Sequence, residues 1–295
     1  MDVAGLLGVP ELAANLHRLE ESLRRSTAAM DPFLSDVAGH LVAAGGKRIR
    51  PALTVAAVLA GGGAVTDDVI MGGVSVELVH IGSLYHDDVM DEAESRRGVE
   101  SVNARWGNLV AILAGDFLLA KASEIAASLG TEVAGLLAAT IGRLCEGQVG
   151  ELRTAFDPGR TESAYFTSIA GKTAALTAAA CRIGGIVARL PRAQIDALTA
   201  FGEAFGMAFQ IRDDCLDITG TDEQLGKPAG QDLVEGTYSL PVLRALAMPE
   251  AGVELRPLLG RPLDGPERDK ARDIIRASGA LDEALAVAHR WAESA

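Results

Sequence analysis

Helical periodicity is the feature that most limits the folds open to this chain. Leu12, Leu16, Leu19 and Leu23 recur at spacings of three and four, which places them on one face of a helix. A longer apolar stretch runs from Asp67 to Met90, and further helices are predicted at about 108–129, 131–153, 161–169, 171–188, 191–218, 239–248, 266–278 and 280–293. No segment shows the sustained alternation, bounded by hairpin turns, that predicts paired strands. The sequence therefore predicts an all-α protein, a single large helical bundle spanning residues 1–295.

Charge and cysteine content exclude several classes of function. The formal net charge of -13 argues against general nucleic-acid binding, which requires a basic surface. The three cysteines, Cys145, Cys181 and Cys215, form no CxxC pair and predict neither a zinc site nor a disulfide framework. The sequence shows no signal peptide and no apolar run of the roughly 20 residues that a membrane span needs. We therefore expect a cytoplasmic protein without a transmembrane segment.

Two aspartate clusters have the same DDxxD spacing. Asp87, Asp88 and Asp91 end the apolar stretch that begins at Asp67, and the second cluster consists of Asp213, Asp214 and Asp217. On a helix the first and last residues of each cluster share a face, and carboxylates placed there repel one another. Oxygen ligands favour Mg²⁺ or Mn²⁺ over zinc, and Mg²⁺ commonly completes its shell with substrate phosphates. Solvated acidic helix ends are the competing explanation, which the repetition of the cluster makes less favourable.

Basic residues flank both clusters, as diphosphate binding would require. The segment Gly45-Gly46-Lys47-Arg48-Ile49-Arg50-Pro51 sets three cations beside a predicted helix start at Pro51, where backbone amides favour anions. Arg96-Arg97-Gly98 follows the first cluster, and His80 lies seven residues before Asp87, close to the same helix face. Lys172-Thr173 is predicted to open an Ala-rich helix, and Lys227 lies ten residues after Asp217. Taken singly, each of these residues has a structural explanation; together they predict a site for diphosphates bridged partly by metal.

The motifs resemble those of the trans-isoprenyl diphosphate synthases, also called polyprenyl synthetases. The resemblance runs from about Gly45 to Leu246, through GGKRIRP, ELVHIGSLYHDDVMD with RRG after it, EGQ at 146–148, GKT at 171–173, and FQIRDDCLDITG with GKPAGQDL after it. It implies the isoprenoid synthase fold, an all-α bundle around a central active-site cavity into which both aspartate clusters face. It also implies a Mg²⁺-dependent enzyme, in which Mn²⁺ can substitute. This enzyme joins isopentenyl diphosphate to an allylic diphosphate through a carbocation and releases diphosphate.

The resemblance also implies roles for individual residues. The metal ligands would be Asp87, Asp91, Asp213 and Asp217, and the catalytic set would be Asp87, Asp88, Asp91, Lys172, Asp213 and Asp214. The allylic diphosphate would be bound by Arg96, Lys172, Thr173, Gln210 and Lys227. Isopentenyl diphosphate would be bound by Lys47, Arg50, His80, Arg97 and Phe209. Arg48 matches the motif but is less expected to contact substrate.

The sequence departs from the family pattern at two places. Thr237 follows Glu235-Gly236 where the family often has a lysine, so one allylic phosphate contact is absent or supplied otherwise. We also expect the domain to lack the additional C-terminal helix that family members often have.

Product length in this family depends on the residues just before the first aspartate cluster. Gly82 and Ser83 are small, which predicts a deep cavity and a medium- or long-chain polyprenyl product. Tyr85 is bulky and sets the cavity floor if it turns inward, in which case the product would be farnesyl or geranylgeranyl diphosphate.

Two other classes of protein are also compatible with the sequence. A class I terpene cyclase shares the helical fold and the first aspartate motif, but its second metal motif differs from Asp213–Asp217. A non-catalytic binding subunit is the second rival, although such subunits usually lose an aspartate cluster that this chain keeps. The family usually forms homodimers, so we expect a homodimer here.

Overall fold

Helices make up nearly all of the regular structure. The computed structural model describes residues 10–225 and 228–295. By chain contacts it divides into two compact units, the first comprising Met1–Ile141 with Leu176–Gly202 and the second comprising Gly142–Ala175 with Glu203–Ala295. The predicted all-α class is confirmed, whereas the expectation of one domain over residues 1–295 stays a prediction.

Within the described residues, the first half of the chain forms seven helices and one short hairpin. In order these are α1 (Pro10–Ser26), α2 (Pro32–Ala43), α3 (Ile49–Ala60), α4 (Asp67–Met90), β1 (Ser95–Arg96), β2 (Val99–Glu100), α5 (Val102–Trp106), α6 (Asn108–Ser128) and α7 (Thr131–Leu152). The second half comprises α8 (Glu162–Ile169), a π-helical turn (Ala170–Ala174), α9 (Ala175–Val187), α10 (Arg192–Thr219), α11 (Asp222–Leu225), α12 (Gln231–Val234), α13 (Leu240–Ala247), α14 (Pro249–Leu255), α15 (Gly265–Ser278) and α16 (Ala280–Ser294).

Helix α4 is the centre of the first unit, where it packs against α1, α3 and α6. Its side chains are buried on most sides, which explains the nearly continuous apolar sequence before its last turn. Thr66 caps its start by accepting a hydrogen bond from the backbone N–H of Val69. The apolar packing of this helix fixes the position of the aspartates at its C-terminal end.

The second unit has a core of its own. It is built from the C-terminal part of α10 with α8, α13, α15 and α16, and its buried residues include Ile211, Tyr238, Leu240, Leu246, Ile275 and Ala284. Asp264 and Glu267 form a reciprocal capping box at the start of α15.

Three local predictions were wrong. Helix α3 begins at Ile49, so Pro51 is its third residue, a first-turn position where the missing N–H of proline costs nothing. Lys172 and Thr173 lie in the π-helical turn between α8 and α9 and do not open a helix. Strands β1 and β2 pair antiparallel, Ser95 with Glu100 and Arg96 with Val99, where no hairpin was expected.

Within the described residues, no helix combines the length and the apolarity that crossing a membrane requires.

Candidate active site

The first aspartate cluster lies at the C-terminal end of α4. Asp87 is partly buried, and Asp91 is exposed at the C-cap, where its backbone N–H donates to the Asp87 carbonyl at 2.8 Å. The last turn of this fully described helix contains no basic residue. Because a helix C-terminus carries partial negative charge, carboxylates there are in an unfavourable potential, which a bound cation would relieve.

Asp88 holds Arg96 at this cluster. The Asp88 side chain is fully buried, and its Oδ1 accepts from Arg96 Nε at 2.7 Å and lies 2.6 Å from Arg96 Nη2. Burial raises the pKa of Asp88, and the neighbouring Arg96 guanidinium opposes that rise. Asp88 Oδ2 is buried and has no hydrogen-bond partner among the described residues. An acceptor left open in this way fits a site completed by a cation or its water.

The Arg96-Arg97-Gly98 motif lies at the hairpin, where Arg96 ends β1 and Arg97 and Gly98 form the turn to β2. Arg97 and Gly98 have φ of 55° and 75°, the pattern of a type I′ turn, which glycine adopts readily and arginine only with strain. The turn directs the two arginines to different partners. Arg96 reaches Asp88, whereas Arg97 Nη1 donates to the carbonyls of Leu41 at 3.0 Å and Gly45 at 2.5 Å.

Four of the five predicted isopentenyl-site residues belong to the first unit, and three of them, Arg50, His80 and Arg97, lie close together. Arg50 and His80 are partly buried, and Arg97 is 17% exposed, while Lys47 is exposed. Burial, then the positive charge of Arg50 and Arg97, hold the pKa of His80 well below its usual value, so its imidazole is neutral. A neutral imidazole beside two guanidinium groups adds a hydrogen-bonding group without further repulsion.

Arg48 is part of the protein framework. It has a left-handed backbone conformation (φ 48°) and is 8% exposed. Its guanidinium donates to both carboxylate oxygens of Glu20 at 2.8 and 3.1 Å, to Glu77 Oε1 at 3.0 Å and to the Val42 carbonyl at 3.0 Å. These contacts account for the motif position without a direct contact to substrate.

The second aspartate cluster lies in the last turns of α10. Asp213 is exposed, whereas Asp214 and Asp217 are 5% and 3% exposed. Asp214 accepts hydrogen bonds from Tyr165 Oη at 2.5 Å and from Gln210 Nε2 at 2.8 Å. Gln210 Oε1 in turn accepts from Thr173 Oγ1 at 2.7 Å, so two predicted allylic-site residues are joined to Asp214 by one chain of hydrogen bonds.

Burial raises the pKa of Asp214 to about 7, against the opposing effect of the hydrogen bonds from Tyr165 and Gln210. The neighbouring charges of Asp213 and Glu151 add to the rise. A positively charged ligand at this cluster would favour the ionised form.

Helix α15 fixes the end of α10 through two arginines. Arg272 donates to the carbonyls of Ile218 at 3.1 Å and Gly220 at 2.7 Å, and Arg276 donates to the Ile218 carbonyl at 3.0 Å. These contacts satisfy the terminal carbonyls of α10 and place positive charge at its C-terminus. The backbone N–H of Asp232 donates to Asp217 Oδ2 at 3.3 Å and further restrains the cluster.

The EGQ and GKT motifs meet where α7 packs against the π-helical turn. A Cβ on Gly147 would lie 2.5 Å from the backbone nitrogen of Lys172, and one on Gly171 would lie 2.6 Å from the Arg143 carbonyl oxygen. The two segments therefore approach backbone to backbone, which explains both glycines. Lys172 Nζ donates to Glu151 Oε1 at 2.6 Å. A π-helical turn within a continuous helical path often marks a functional position.

The remaining predicted binding residues differ in how far the structure describes them. Phe209 on α10 is partly buried and stacks on Phe205 with ring centroids 6.0 Å apart. Lys227 lies outside the described residues. Thr237 is partly buried, and its N–H donates to the Asp232 carbonyl at 2.8 Å.

The predicted chain-length residues have different surroundings. A Cβ on Gly82 would lie 3.1 Å from the Gly115 carbonyl oxygen, so its small size is explained by packing against α6. Ser83 is partly buried, and its hydroxyl donates to the His80 carbonyl at 2.8 Å. Tyr85 is fully buried, and its hydroxyl donates to the Val37 carbonyl of α2 at 2.7 Å. The control of product length by these residues stays a prediction.

The donor set fits a metal completed by substrate. Among the described residues, no three His, Cys, Asp or Glu side chains converge into a closed metal site. Mg²⁺ typically uses one or two protein carboxylates and takes its other ligands from water and phosphate. The oxygen-only clusters and the open Asp88 Oδ2 agree with that mode of binding.

Sequence reasoning missed four residues that support the site. Glu77 contacts Arg48, Tyr165 donates to Asp214, Glu151 pairs with Lys172, and Arg160, 5% exposed, donates to the Tyr238 carbonyl at 3.2 Å. The one signal available was Glu77, the single acid between Asp68 and Asp87 in the apolar stretch of α4, which predicts a paired carboxylate.

Comparison with known proteins identifies the family. The model of the polyprenyl synthetase family matches residues 31–276. The chain is 38% identical to a nonaprenyl diphosphate synthase of Mycobacterium tuberculosis over 299 residues, covering 100% of this chain and 89% of that protein.

Solved structures of related enzymes also resemble this chain. A polyprenyl synthase from Caulobacter crescentus, complexed with calcium and isoprenyl diphosphate, has a TM-score of 0.91 and 35% identity, covering 97% of this chain and 88% of that one. A geranylgeranyl pyrophosphate synthase from Corynebacterium glutamicum, complexed with the same ligands, has a TM-score of 0.83 and 40% identity, covering 97% and 90%. The expected isoprenoid synthase fold and enzyme class are thereby confirmed, and the chain belongs to the polyprenyl synthetase family of prenyltransferases.

Proposed function

We propose that this enzyme condenses isopentenyl diphosphate with an allylic diphosphate with the help of Mg²⁺, through the residues assigned by the family motifs. The observation that carries the proposal is the pair of aspartate clusters, each at a helix C-terminus and each accompanied by cationic residues. The divalent ions named with the two related structures support a metal requirement, and Mg²⁺ is our choice among divalent ions.

Metal binding is assigned to Asp87, Asp91, Asp213 and Asp217, with Asp88 and Asp214 orienting their neighbours. Bound Mg²⁺ would stabilise negative charge on the leaving diphosphate. Arg96, held by Asp88, would bind the allylic diphosphate, as would Lys172, Thr173, Gln210 and Lys227. Lys172 Nζ is paired with Glu151, so we propose that diphosphate binding makes Lys172 exchange or share that partner.

Isopentenyl diphosphate is assigned to Lys47, Arg50, His80 and Arg97, with Phe209 beside its hydrocarbon part. The neutral His80 would donate or accept one hydrogen bond, and the guanidinium groups would neutralise phosphate charge. Once the allylic carbon–oxygen bond breaks, the isopentenyl double bond attacks the allylic carbocation, and a proton is lost to the released diphosphate. The chain's own contribution is to hold both substrates and exclude water.

We further propose a product longer than geranylgeranyl diphosphate. The nonaprenyl and polyprenyl relatives support this length, and the small, partly buried Ser83 agrees with it. The geranylgeranyl relative favours a shorter product as the second candidate, because it is also similar along nearly the whole chain.

Incubation of the purified protein with farnesyl diphosphate, labelled isopentenyl diphosphate and Mg²⁺ tests both proposals. Products longer than geranylgeranyl diphosphate are expected, and an Asp87→Ala sample controls for contaminating synthase. Products that stop at geranylgeranyl would keep the reaction and refute the long-chain assignment. A complete lack of elongation with any primer would refute the reaction.

A homodimer is part of the proposal. Three large apolar side chains on one side of α6, Leu109, Ile112 and Leu113, are 71%, 41% and 57% exposed, which supports a covered surface in the assembled enzyme. A cytoplasmic location is also proposed, supported by the three free cysteines, and cell fractionation would test it.

A further inference from the structure

A buried carboxylate lies among the cations of the proposed isopentenyl site. Glu77 on α4 is 1% exposed. Its Oε1 accepts from Arg48 Nη1 at 3.0 Å and lies 3.9 Å from Arg97 Nη2. One oxygen atom thus connects the segment between α2 and α3, which carries Arg48, to the hairpin turn, which carries Arg97.

The C-terminal end of α2 and this segment together enclose both guanidinium groups. Arg97 Nη1 donates to the Leu41 and Gly45 carbonyls, and Arg48 Nη2 donates to the Val42 carbonyl at 3.0 Å. A Cβ on Gly46 would lie 3.0 Å from Arg97 Cζ and 3.2 Å from Arg48 Nη1. The backbone that leads from α2 through Lys47 to Arg50 at the start of α3 is therefore shaped around two arginines that meet at Glu77.

The Glu77 carboxylate also stabilises the positive charges around it. Burial lowers the pKa of Arg50 and of Arg97, and in each case Glu77 is the foremost neighbour that favours the charged form. The cations repel one another, since Arg97 disfavours the charge of Arg50, and Arg48 and Arg96 disfavour that of Arg97. Without an anion between them, guanidinium groups this close would repel one another and move apart. They would then no longer be held in one geometry for binding phosphate.

We propose that Glu77 is a positioning residue for isopentenyl diphosphate, which acts through Arg97 and the segment around Lys47 rather than by touching substrate. The inference rests on the proposed assignment of Lys47, Arg50 and Arg97 to this diphosphate. Glu77 fixes the positions of the cations that bind phosphate. Its role therefore differs from that of the aspartates, which are proposed to bind the metal.

Glu20 provides a matched control. It also binds Arg48, at 2.8 and 3.1 Å, but no contact joins it to Arg97 in the described structure. Glu77→Asp and Glu20→Asp keep the charge and shorten each carboxylate by the same methylene. Any effect of net charge on diphosphate attraction is therefore equal in the two variants, and the difference between them reports on position.

Steady-state kinetics of the full chain with Mg²⁺, varying each substrate in turn, tests the proposal. Glu77→Asp is expected to raise the KM for isopentenyl diphosphate by about tenfold, the scale of one charged hydrogen bond, with kcat and the allylic KM changed less than about twofold. Glu20→Asp is expected to leave all three constants within about twofold of wild type. In an Arg97→Gln background, the effect of Glu77→Asp on the isopentenyl KM should be clearly smaller than in wild type, because one of the two groups through which Glu77 acts is gone.

Equal effects of the two Glu→Asp variants, or an undiminished effect of Glu77→Asp without Arg97, would overturn the positioning role. If Glu77→Asp does not fold, Glu77→Gln, which keeps the side-chain shape, replaces it with Glu20→Gln as its control, and the same comparison applies. Failure of the proposed function looks different, because wild-type protein would then show no turnover of isopentenyl diphosphate at all.

Discussion

At the scale of single residues, the site is a set of buried and half-buried charges that depend on particular partners. Asp88 is held by Arg96, Asp214 by Tyr165 and Gln210, and Lys172 by Glu151. Removing one partner from a buried charge leaves the other without compensation, which usually costs more than the pair contributes. Tyr165 and Glu151, to which no substrate contact is assigned, therefore help to determine whether the substrate-binding groups are in place.

Tyr165→Phe tests one such partnership. The variant removes a hydrogen bond to a carboxylate that is ionised at about pH 8.5, since the pKa of Asp214 is about 7. The loss should be about 1.5–3 kcal/mol of unfolding free energy at that pH, as for other hydrogen bonds to charged groups. Urea denaturation without metal measures it.

Tyr85→Phe is the control, because the Tyr85 hydroxyl donates to a neutral backbone carbonyl. Its expected cost is smaller, about 0.5–1.5 kcal/mol. If Tyr165→Phe is no less stable than Tyr85→Phe, the hydrogen bond to Asp214 contributes no more to the unfolding free energy than a hydrogen bond to a neutral carbonyl.

His80 provides a test by pH. Because burial and the nearby arginines lower the pKa of His80 in the folded state, the unfolded chain takes up a proton at a higher pH than the folded protein does. The His80 contribution to stability is thus fully present above the unfolded pKa of about 6.5 and is lost as the pH falls below it. NMR of the imidazole ring should show a neutral His80 at about pH 6.

The stability of His80→Gln should accordingly fall less steeply than that of wild type between about pH 6.5 and 5.5. Equal slopes for the two proteins, or a ring that is protonated in that range, would contradict the assignment of a neutral imidazole.

At the scale of secondary structure, the site depends on where helices end and on how closely they approach. Both aspartate clusters occupy helix C-termini, and the glycines of EGQ and GKT allow α7 to touch the π-helical turn. Periodicity predicted most helix ends to within one or two residues, because Gly61, Pro191 and Gly279 interrupt long apolar patterns. Proximity in sequence also correctly linked Arg96 to the first cluster.

Other elements have no sequence pattern from which they could be predicted. Two-residue strands are too short to show alternation, so the hairpin at Arg97-Gly98 was missed. The π-helical turn follows the same apolar spacing as an α-helix at this length and was read as a helix start. The partners Glu77, Tyr165 and Glu151 lie 29, 49 and 21 residues from the side chains they hold, a pairing that only the folded chain reveals.

Gly147→Ala tests the close approach of α7. The added methyl would lie 2.5 Å from the Lys172 nitrogen, so the backbone must shift, at a cost of about 1–3 kcal/mol and with a loss of allylic diphosphate binding. Gly142→Ala on the same helix meets nothing within 4 Å and should be neutral or stabilising by about 0.5–1 kcal/mol. Thermal melting and diphosphate titration give the comparison, and equal behaviour of the two variants would rule out the packing explanation.

At the scale of the whole molecule, the chain is acidic while both of its substrates are anionic. The net charge of -13 opposes diphosphate binding everywhere except where metal and local cations reverse the potential. Binding should therefore require the divalent ion. The same net charge limits non-specific association, so an apolar surface is the better basis for a dimer.

Leu113→Glu should disrupt that dimer. A carboxylate at the proposed interface on α6 would have to be buried without a partner, so light scattering after gel filtration should show monomer. Val253→Glu, at a side chain 73% exposed on α14, should leave the mass unchanged. A dimer that persists in Leu113→Glu would show that α6 does not form the interface.

We propose that the two aspartate clusters act as a unit in one metal-dependent prenyl transfer. A comparison of kcat for the wild type, Asp87→Asn, Asp213→Asn and the double variant at saturating Mg²⁺ and substrates tests this claim. We predict that each single variant loses about 10²–10³-fold, and that the double variant loses far less than the product of the two, because groups that act as a unit are not additive. Full activity in either single variant, or a double variant whose loss equals the product of the single losses, would contradict the claim.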